Sequence, residues 1–332
     1  MKSACNVTVF TAALLCAAVV ANVNAHAAEP VNAAYPSRPI RVIVPQTPGG
    51  TADTMARILA PSLASTLGQQ LVIDNRGGAG GIIGTELVAR AAPDGYTLSF
   101  NGTGPLTIVP NIQKGVPYDA VRDFTPISMT TVSPFALVLH PAVRARSVKE
   151  LIALAKAEPG KLNYASAGNG SVVFLGMELF KNMTATNILH VPYKDTAQGL
   201  TDVMAGHVAM MLFTVAPALQ HVASERLRLM GVTSAKRSPR YPDVPTIAEA
   251  GLVGYEVTTW TGLLAPAKTP RDIASKLRDA LLKALRTPQA RAQLDTQGVD
   301  VVGGSGDEFA LLLKEELARH ARVIKAAGGK LE

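Results

Sequence analysis

An α/β fold of two lobes, each a mixed, mostly parallel sheet flanked by helices, is predicted by three features of this 332-residue chain. Short apolar runs of strand length alternate with longer segments of helical periodicity, the pattern of a parallel sheet covered on both faces. A strand that runs into a glycine-rich turn and then a helix occurs twice, at 46–53 and at 166–171. Two apolar passages, 124–139 and 257–264, take the chain from one half to the other and back, which puts lobe 1 at 28–133 plus 255–332 and lobe 2 at 134–254.

Residues 1–27 stand apart from this fold. Lys2 is followed by a charge-free run from Ser3 to Ala28 that ends in Ala25-His26-Ala27, an A-x-A cleavage pattern typical of a removed export signal. An uncleaved anchor helix is the competing reading, and the small residues and asparagines (Asn22, Asn24) before the cleavage pattern argue against it. Leu15 precedes Cys16 where a lipid-modified N-terminus requires a small residue. Both cysteines, Cys5 and Cys16, lie in this segment, so thiol catalysis, zinc–thiolate sites and iron–sulfur clusters are excluded from the mature chain. Lys2 is the segment's only charge, which leaves 31 of the 32 basic residues against 25 acidic ones, a net +6. The excess is dispersed and lacks the aromatic-backed basic stripe of a nucleic-acid binder, but its field gathers anions.

In chain order, Ile40 to Val44 reads as a buried strand, and Pro45-Gln46-Thr47-Pro48-Gly49-Gly50 as a tight turn. A helix follows to Leu67, stopped by Gly68; Pro61 inside it is expected to kink it or end it early. Gln70 to Asp74 is a second strand, Arg76 to Gly81 a loop, Ile82 to Ala92 a helix and Tyr96 to Phe100 a third strand. After Asn101-Gly102-Thr103-Gly104 comes a Pro-rich passage without an assigned element, and then 124–139, too long for one strand and broken by Pro134.

Lobe 2 restarts the alternation. Ser147 and Glu150 form a capping box for a helix to Ala157. Strand 162–165 feeds Ser166-Ala167-Gly168-Asn169-Gly170-Ser171 and a helix from Val172 to Asn182. Strand 188–192, the loop Tyr193-Lys194-Asp195, helix 196–205 and strands 208–213 and 227–233 follow. The chain closes with helices 271–285 and 307–327, the latter with Phe309, Leu312, Leu313, Leu317 and Val323 at helical spacing.

The chemistry readable in these segments is anion binding. Unpaired N–H groups at a helix start hold an anion, and glycine lets the backbone approach it closely. Each helix terminus contributes about 0.3–1 kcal/mol of charge stabilisation, and each hydrogen bond to a charged group about 1.5–3 kcal/mol net. Micromolar affinity requires about 8 kcal/mol after binding costs, so two such ends gripping a dianion from two lobes suffice. Walker A is absent because no Gly-Lys-Ser/Thr follows a glycine loop, and Ile83 stands where a dinucleotide fingerprint starting at Gly78 needs its third glycine. No metalloprotease, serine-hydrolase or Ser-x-x-Lys pattern is present. His140, His190, His207, His221 and His320 lack ligand spacing, so neither metal nor cofactor is expected. Asp53 is read as a cap of the first helical turn or as a site residue, and Lys194 and Asp195 as solvated loop residues.

Seven motifs in register carry a resemblance over the whole mature chain: 48–53 (Pro-Gly-Gly-Thr-Ala-Asp), 74–81 (Asp-Asn-Arg-Gly-Gly-Ala-Gly-Gly), 93–98, 159–164, 191–194 (Val-Pro-Tyr-Lys), 232–238 and 242–246. The chain resembles the Bug family, periplasmic solute-binding receptors of tripartite tricarboxylate transporters. The resemblance implies a two-lobed type II periplasmic binding protein fold that closes around a small carboxylate and serves membrane subunits of the transporter. It places ligand-binding residues at Gln46, Thr47, Pro48, Gly49, Gly50 and Asp53 in lobe 1, with Asn101 and Thr103 after the third strand. In lobe 2 they fall on Ser166, Gly168, Asn169, Gly170, Ser171, Tyr193 and Thr214. Two positions depart from the family pattern: Asp195 replaces glycine after Tyr193-Lys194, and Thr214 replaces the acid after Phe213. Loss of the acid that would meet an ammonium group argues against amino-acid ligands. A receptor read by a membrane sensor kinase and an exported α/β enzyme are the two other readings, and the chain is expected to be a monomer.

Overall fold

A computed structural model describes residues 35–194, 196–238 and 240–326. The leader at 1–27 and Asp195 therefore lie outside the described residues. Strand β1 (Ile40–Val44) leads into helix α1 (Thr51–Leu67), β2 (Leu71–Asn75), α2 (Ile82–Ala89) and β3 (Thr97–Gly102). Both β2 and β3 pair with β1 in parallel. Gly68 ends α1 in the left-handed conformation, as expected. Pro61 neither ends nor splits α1. Its ring lies on the exposed face, where water can take the carbonyl that the missing N–H leaves unbonded.

The Pro-rich passage after β3 is folded, contrary to the sequence reading. A buried π-helical turn, Gly104–Ile108, runs into α3 (Val109–Ile112). Pro105 and Pro110 each stand in a first turn, where a missing N–H costs nothing.

Strand β4 (Phe124–Leu139) is a single 16-residue strand, and Pro134 does not interrupt it. Up to Pro134 it pairs with the returning strand β9 (Thr258–Pro266). From Phe135 onward it pairs with β7 (Met210–Thr214) and β8 (Arg228–Val232). The proline falls where the strand changes partners, so its lost donor is not missed in either ladder.

The second half adds α4 (Val148–Ala157), β5 (Asn163–Ser166), α5 (Val172–Thr184), β6 (Leu189–Pro192), α6 (Thr196–Met204) and α7 (Val215–Ala223). Half of the capping box forms: Glu150 N–H donates to Ser147 Oγ at 3.2 Å, while the Glu150 carboxylate accepts the N–H of Arg146, one residue before the cap, at 2.7 Å. The C-terminal part holds α8 (Arg271–Arg286), α9 (Pro288–Thr296), the two-residue β10 (Asp300–Val301) and α10 (Gly306–Ala326). Helices α7 and α9 have no counterpart in the sequence reading; both are short, and α9 is mostly polar.

All strands join one curled mixed sheet ordered β2-β1-β3-β9-β4-β7-β5-β6, with β8 and β10 also bonded to β4. Lobe 1 is packed around Ile43, Leu106, Trp260 and Phe309, the last two edge to face at 5.2 Å. Lobe 2 is packed around Leu137, Tyr164, Phe180 and Leu212, and this core also takes in Ile108 and Ile324. Each fully buried aliphatic or aromatic side chain contributes about 1.5–3 kcal/mol, and no cysteine stands among the described residues to add a disulfide.

At the waist, the Thr233 hydroxyl accepts the Phe135 N–H at 2.8 Å and donates to the Val257 carbonyl. Thr233 N–H donates to Phe135 O, and Val257 N–H to Thr233 O. One fully buried threonine thus ties together both strands that cross between lobes.

Candidate functional site

The loops singled out in the sequence all leave the carboxyl ends of parallel strands, the edge where open α/β sheets bind ligands. Loop 45–50 leaves β1, 166–171 leaves β5, 193–194 leaves β6 and Thr214 ends β7. Thr47, Pro48 and Gly49 are exposed at the loop crest. Gly49 has φ +83°, which an L side chain rarely adopts.

The first loop is cross-braced by its own side chains. Gly49 N–H donates to Asp53 Oδ2 at 2.9 Å, and Ala52 N–H to Gln46 Oε1 at 3.1 Å. Gly50 N–H donates to Thr47 O at 3.2 Å. A Cβ on Gly50 would stand 2.7 Å from Gln46 Oε1, so the glycine makes room for that amide. Thr51 N–H, at the start of α1, has no partner among the described residues.

Asp53 is buried. It also accepts from Arg57 Nε at 2.9 Å and Asn75 Nδ2 at 3.0 Å. Burial works to raise its pKa, but the bonds from Arg57, Gly49 and Asn75 outweigh it and hold the carboxyl below its ordinary value. An ionised carboxylate with this many donors braces the turn from behind.

Asn101 and Thr103 are fully buried. Asn101 Nδ2 donates to Thr85 Oγ1 at 3.1 Å, and its carbonyl accepts Gly102 N–H at 2.8 Å. Thr103 Oγ1 accepts the Trp260 N–H at 3.0 Å, and the Thr103 carbonyl accepts Thr107 Oγ1 at 2.7 Å. Both support the start of the π-helical turn.

In lobe 2, Ser171 caps α5 by accepting Phe174 N–H at 3.2 Å and donates its own hydroxyl to Gly168 O at 2.8 Å. Gly170 has φ +119°. Asn169 is exposed, while Gly170 is buried. Tyr193 N–H donates to Ser166 O at 2.8 Å, and its phenol to Asp202 Oδ2 at 2.7 Å. Thr214 stands at the N-cap of α7 with no side-chain capping bond.

The loops after β3 and β5 touch. A Cβ on Gly104 would lie 3.0 Å from Gly170 O, and one on Gly170 would lie 2.8 Å from Val109 and 3.9 Å from the Cα of Gly80.

Sequence reasoning passed over His190, whose Nε2 lies 2.7 Å from Ser166 Oγ. Only the β5–β6 register, Tyr164 opposite His190, brings them together, and a scattered histidine gives no local signal of it. No group of histidine, cysteine or acidic side chains among the described residues is arranged to hold a metal ion. No described helix is long and apolar enough to cross a membrane.

Comparison with known proteins agrees with this architecture. Residues 55–329 match the model of the tripartite tricarboxylate transporter family receptor. A protein from the tcbD-tcbE intergenic region of Pseudomonas sp. (strain P51) is 41% identical over 292 residues, 88% of this chain and 87% of its own. Protein BugT of Bordetella pertussis is 36% identical, covering 92% of this chain and 94% of its own. Among solved structures, R. palustris Rpa4515 with adipate superposes with a TM-score of 0.83 at 35% identity, over 89% of this chain and 98% of its own. MatC from Rhodopseudomonas palustris with bound malate superposes at 0.81 with 32% identity, over 87% and 100%. The chain therefore belongs to the tripartite tricarboxylate transporter receptor family, the periplasmic solute-binding receptors of the Bug type.

Proposed function

We propose that the protein captures a small organic acid in the cleft between its lobes by hinge closure and delivers it to the membrane subunits of a tripartite tricarboxylate-type transporter. The observation that carries this reading is the contact of two glycine loops, Gly104 against Gly170, the latter two residues before the start of α5. Adipate and malate in two relatives of the same fold support a carboxylate as the ligand class.

In this reading residues 1–27 are the export signal, 28–133 with 255–332 form lobe 1, and 134–254 form lobe 2. Closure pivots where β4 changes partners and where Thr233 holds both crossings. Carboxylate oxygens are met by the backbone N–H groups that the two loops do not use internally, that of Thr51 and those of 169, 170 and 172. Thr47, Ser166, Asn169 and Thr214 add side-chain donors, while Ser171, whose proton goes to Gly168 O, holds its loop. Gln46, Asp53, Asn101 and Thr103 hold the loops in shape, and Tyr193, fixed by Asp202, forms a wall. The lobes reopen to release the acid unchanged, which requires the closed state to be only slightly favoured.

Thermal-shift measurement with malate, adipate and a panel of mono-, di- and tricarboxylates tests this. A ligand at 100 times its Kd adds about 2.7 kcal/mol of stability. A panel that leaves the unfolding temperature unmoved refutes carboxylate capture, and a new product after prolonged incubation with the responding acid refutes carriage without turnover.

A further inference from the structure

Ser166 ends β5 and is buried. Its Oγ accepts Gly168 N–H at 3.1 Å and lies 2.7 Å from His190 Nε2. The nearest acceptor for its own proton is Gly168 O at 3.5 Å, and that carbonyl already receives the Ser171 N–H and hydroxyl at 3.2 and 2.8 Å. A hydroxyl has two lone pairs and one proton. If His190 presents Nε2–H, both lone pairs are filled by donors and the proton is left without a close protein acceptor. If His190 presents a bare Nε2, the proton turns inward and a lone pair faces any incoming carboxylate.

The imidazole is held for this contact. It stacks on Tyr164 at 4.9 Å and 23°, and Phe174 lies against it at 4.8 Å. Tyr164 is in turn fixed by its hydroxyl bond to Glu178 at 2.6 Å, and Lys181 donates to the same carboxylate oxygen. Burial lowers the pKa of His190, Glu178 opposes that shift and Lys181 adds to it. The ring is therefore neutral near pH 7, and its tautomer decides which face Ser166 shows.

We infer that His190 is a positioning residue that, through its Nε2–H, turns the Ser166 hydroxyl into a donor aimed at the bound carboxylate. This rests on the carboxylate-receptor reading above. Ligand binding then selects the Nε2–H tautomer, because only that form leaves Ser166 with a proton to offer an anion. The same device disfavours ligands whose group at this point is a donor, which adds selectivity for oxyanions without placing a charge in the site.

The test is a calorimetric double-mutant cycle with malate and adipate as probes, using Ser166→Ala, His190→Phe and the pair. Phenylalanine keeps the aromatic stack and removes the nitrogen. Each single variant is expected to weaken binding about tenfold, and the double variant no more than either alone. His190→Gln, whose amide can donate at the same point, is expected to recover most of the loss. In ¹⁵N spectra of the malate-saturated protein, His190 Nε2 is expected in its protonated form. Additive losses, full affinity in His190→Phe, or a bare Nε2 in the complex overturns the inference while leaving the receptor reading intact. Failure of the unmodified protein to bind any carboxylate overturns both.

Discussion

Closure of the cleft is best tested at Gly104. This residue opens the π-helical turn of lobe 1, and its φ lies outside the left-handed range, so alanine fits its backbone without strain. The added methyl would stand 3.0 Å from the Gly170 carbonyl oxygen of lobe 2, several tenths of an ångström inside ordinary contact. Both partners are backbone and cannot swing aside. Overpacking of this kind costs about 1–3 kcal/mol, and under the proposed hinge closure, which brings the two loops together, it falls on the closed state. At about 1.4 kcal/mol per tenfold, malate or adipate affinity is expected to drop roughly five- to a hundredfold. The ligand-free protein is expected to unfold at an equal or slightly higher temperature, since Gly→Ala at a compatible position restricts the unfolded chain by about 0.4–1 kcal/mol. Calorimetry for affinity and thermal unfolding without ligand read the two effects separately. Unchanged affinity, or a ligand-free stability loss as large as the binding loss, would refute the argument that Gly104 and Gly170 meet as part of closure.

Two further outcomes are expected. Thr233→Val keeps the side chain's shape but strips the buried Phe135 N–H and Val257 carbonyl of their partner; at about 1–3 kcal/mol per orphaned group, urea denaturation should show a loss of about 2–6 kcal/mol with an unchanged m-value. For Asp53, the folded pKa lies below its ordinary 3.8, so its stabilising contribution is complete above that value and disappears as pH falls through the folded value. Asp53→Asn should therefore lower stability at pH 7 by about 1–2 kcal/mol and flatten the acid limb below pH 4, and a variant whose acid limb matches the parent's would exclude Asp53 as its source.

Much of this architecture was legible because it is written in local periodicity. Strands β1 and β7 appear as apolar runs, glycines mark the turns after β1 and β5, and the Ser147–Glu150 pair marks the start of α4. The spacing of Phe309, Leu313 and Leu317 identified the buried face of α10, where Phe309 and Leu313 are almost fully enclosed. The seven motifs identified the family, and the matched model and relatives bear that out. The π-helical turn at 104–108 was hidden by prolines, which signal loops unless they occupy a first helical turn. Pro134 misled for a related reason: a proline is a breaker only where a ladder needs its N–H, and nothing local reveals that β4 changes partners there.

Alone, the sequence determined the alternation of strands and helices, the glycine turns that expose helix N-termini, and the lack of cysteines and of metal-ligand spacing beyond residue 28, because each depends on neighbours within a few residues. Only the tertiary structure decided that Asn101, Thr103 and Asp53 turn inward as braces, that Gly104 meets Gly170, and that His190 reaches Ser166. Those contacts join residues 24 to 157 positions apart or hinge on side-chain direction, and strand register and burial set them, not the local pattern of residues.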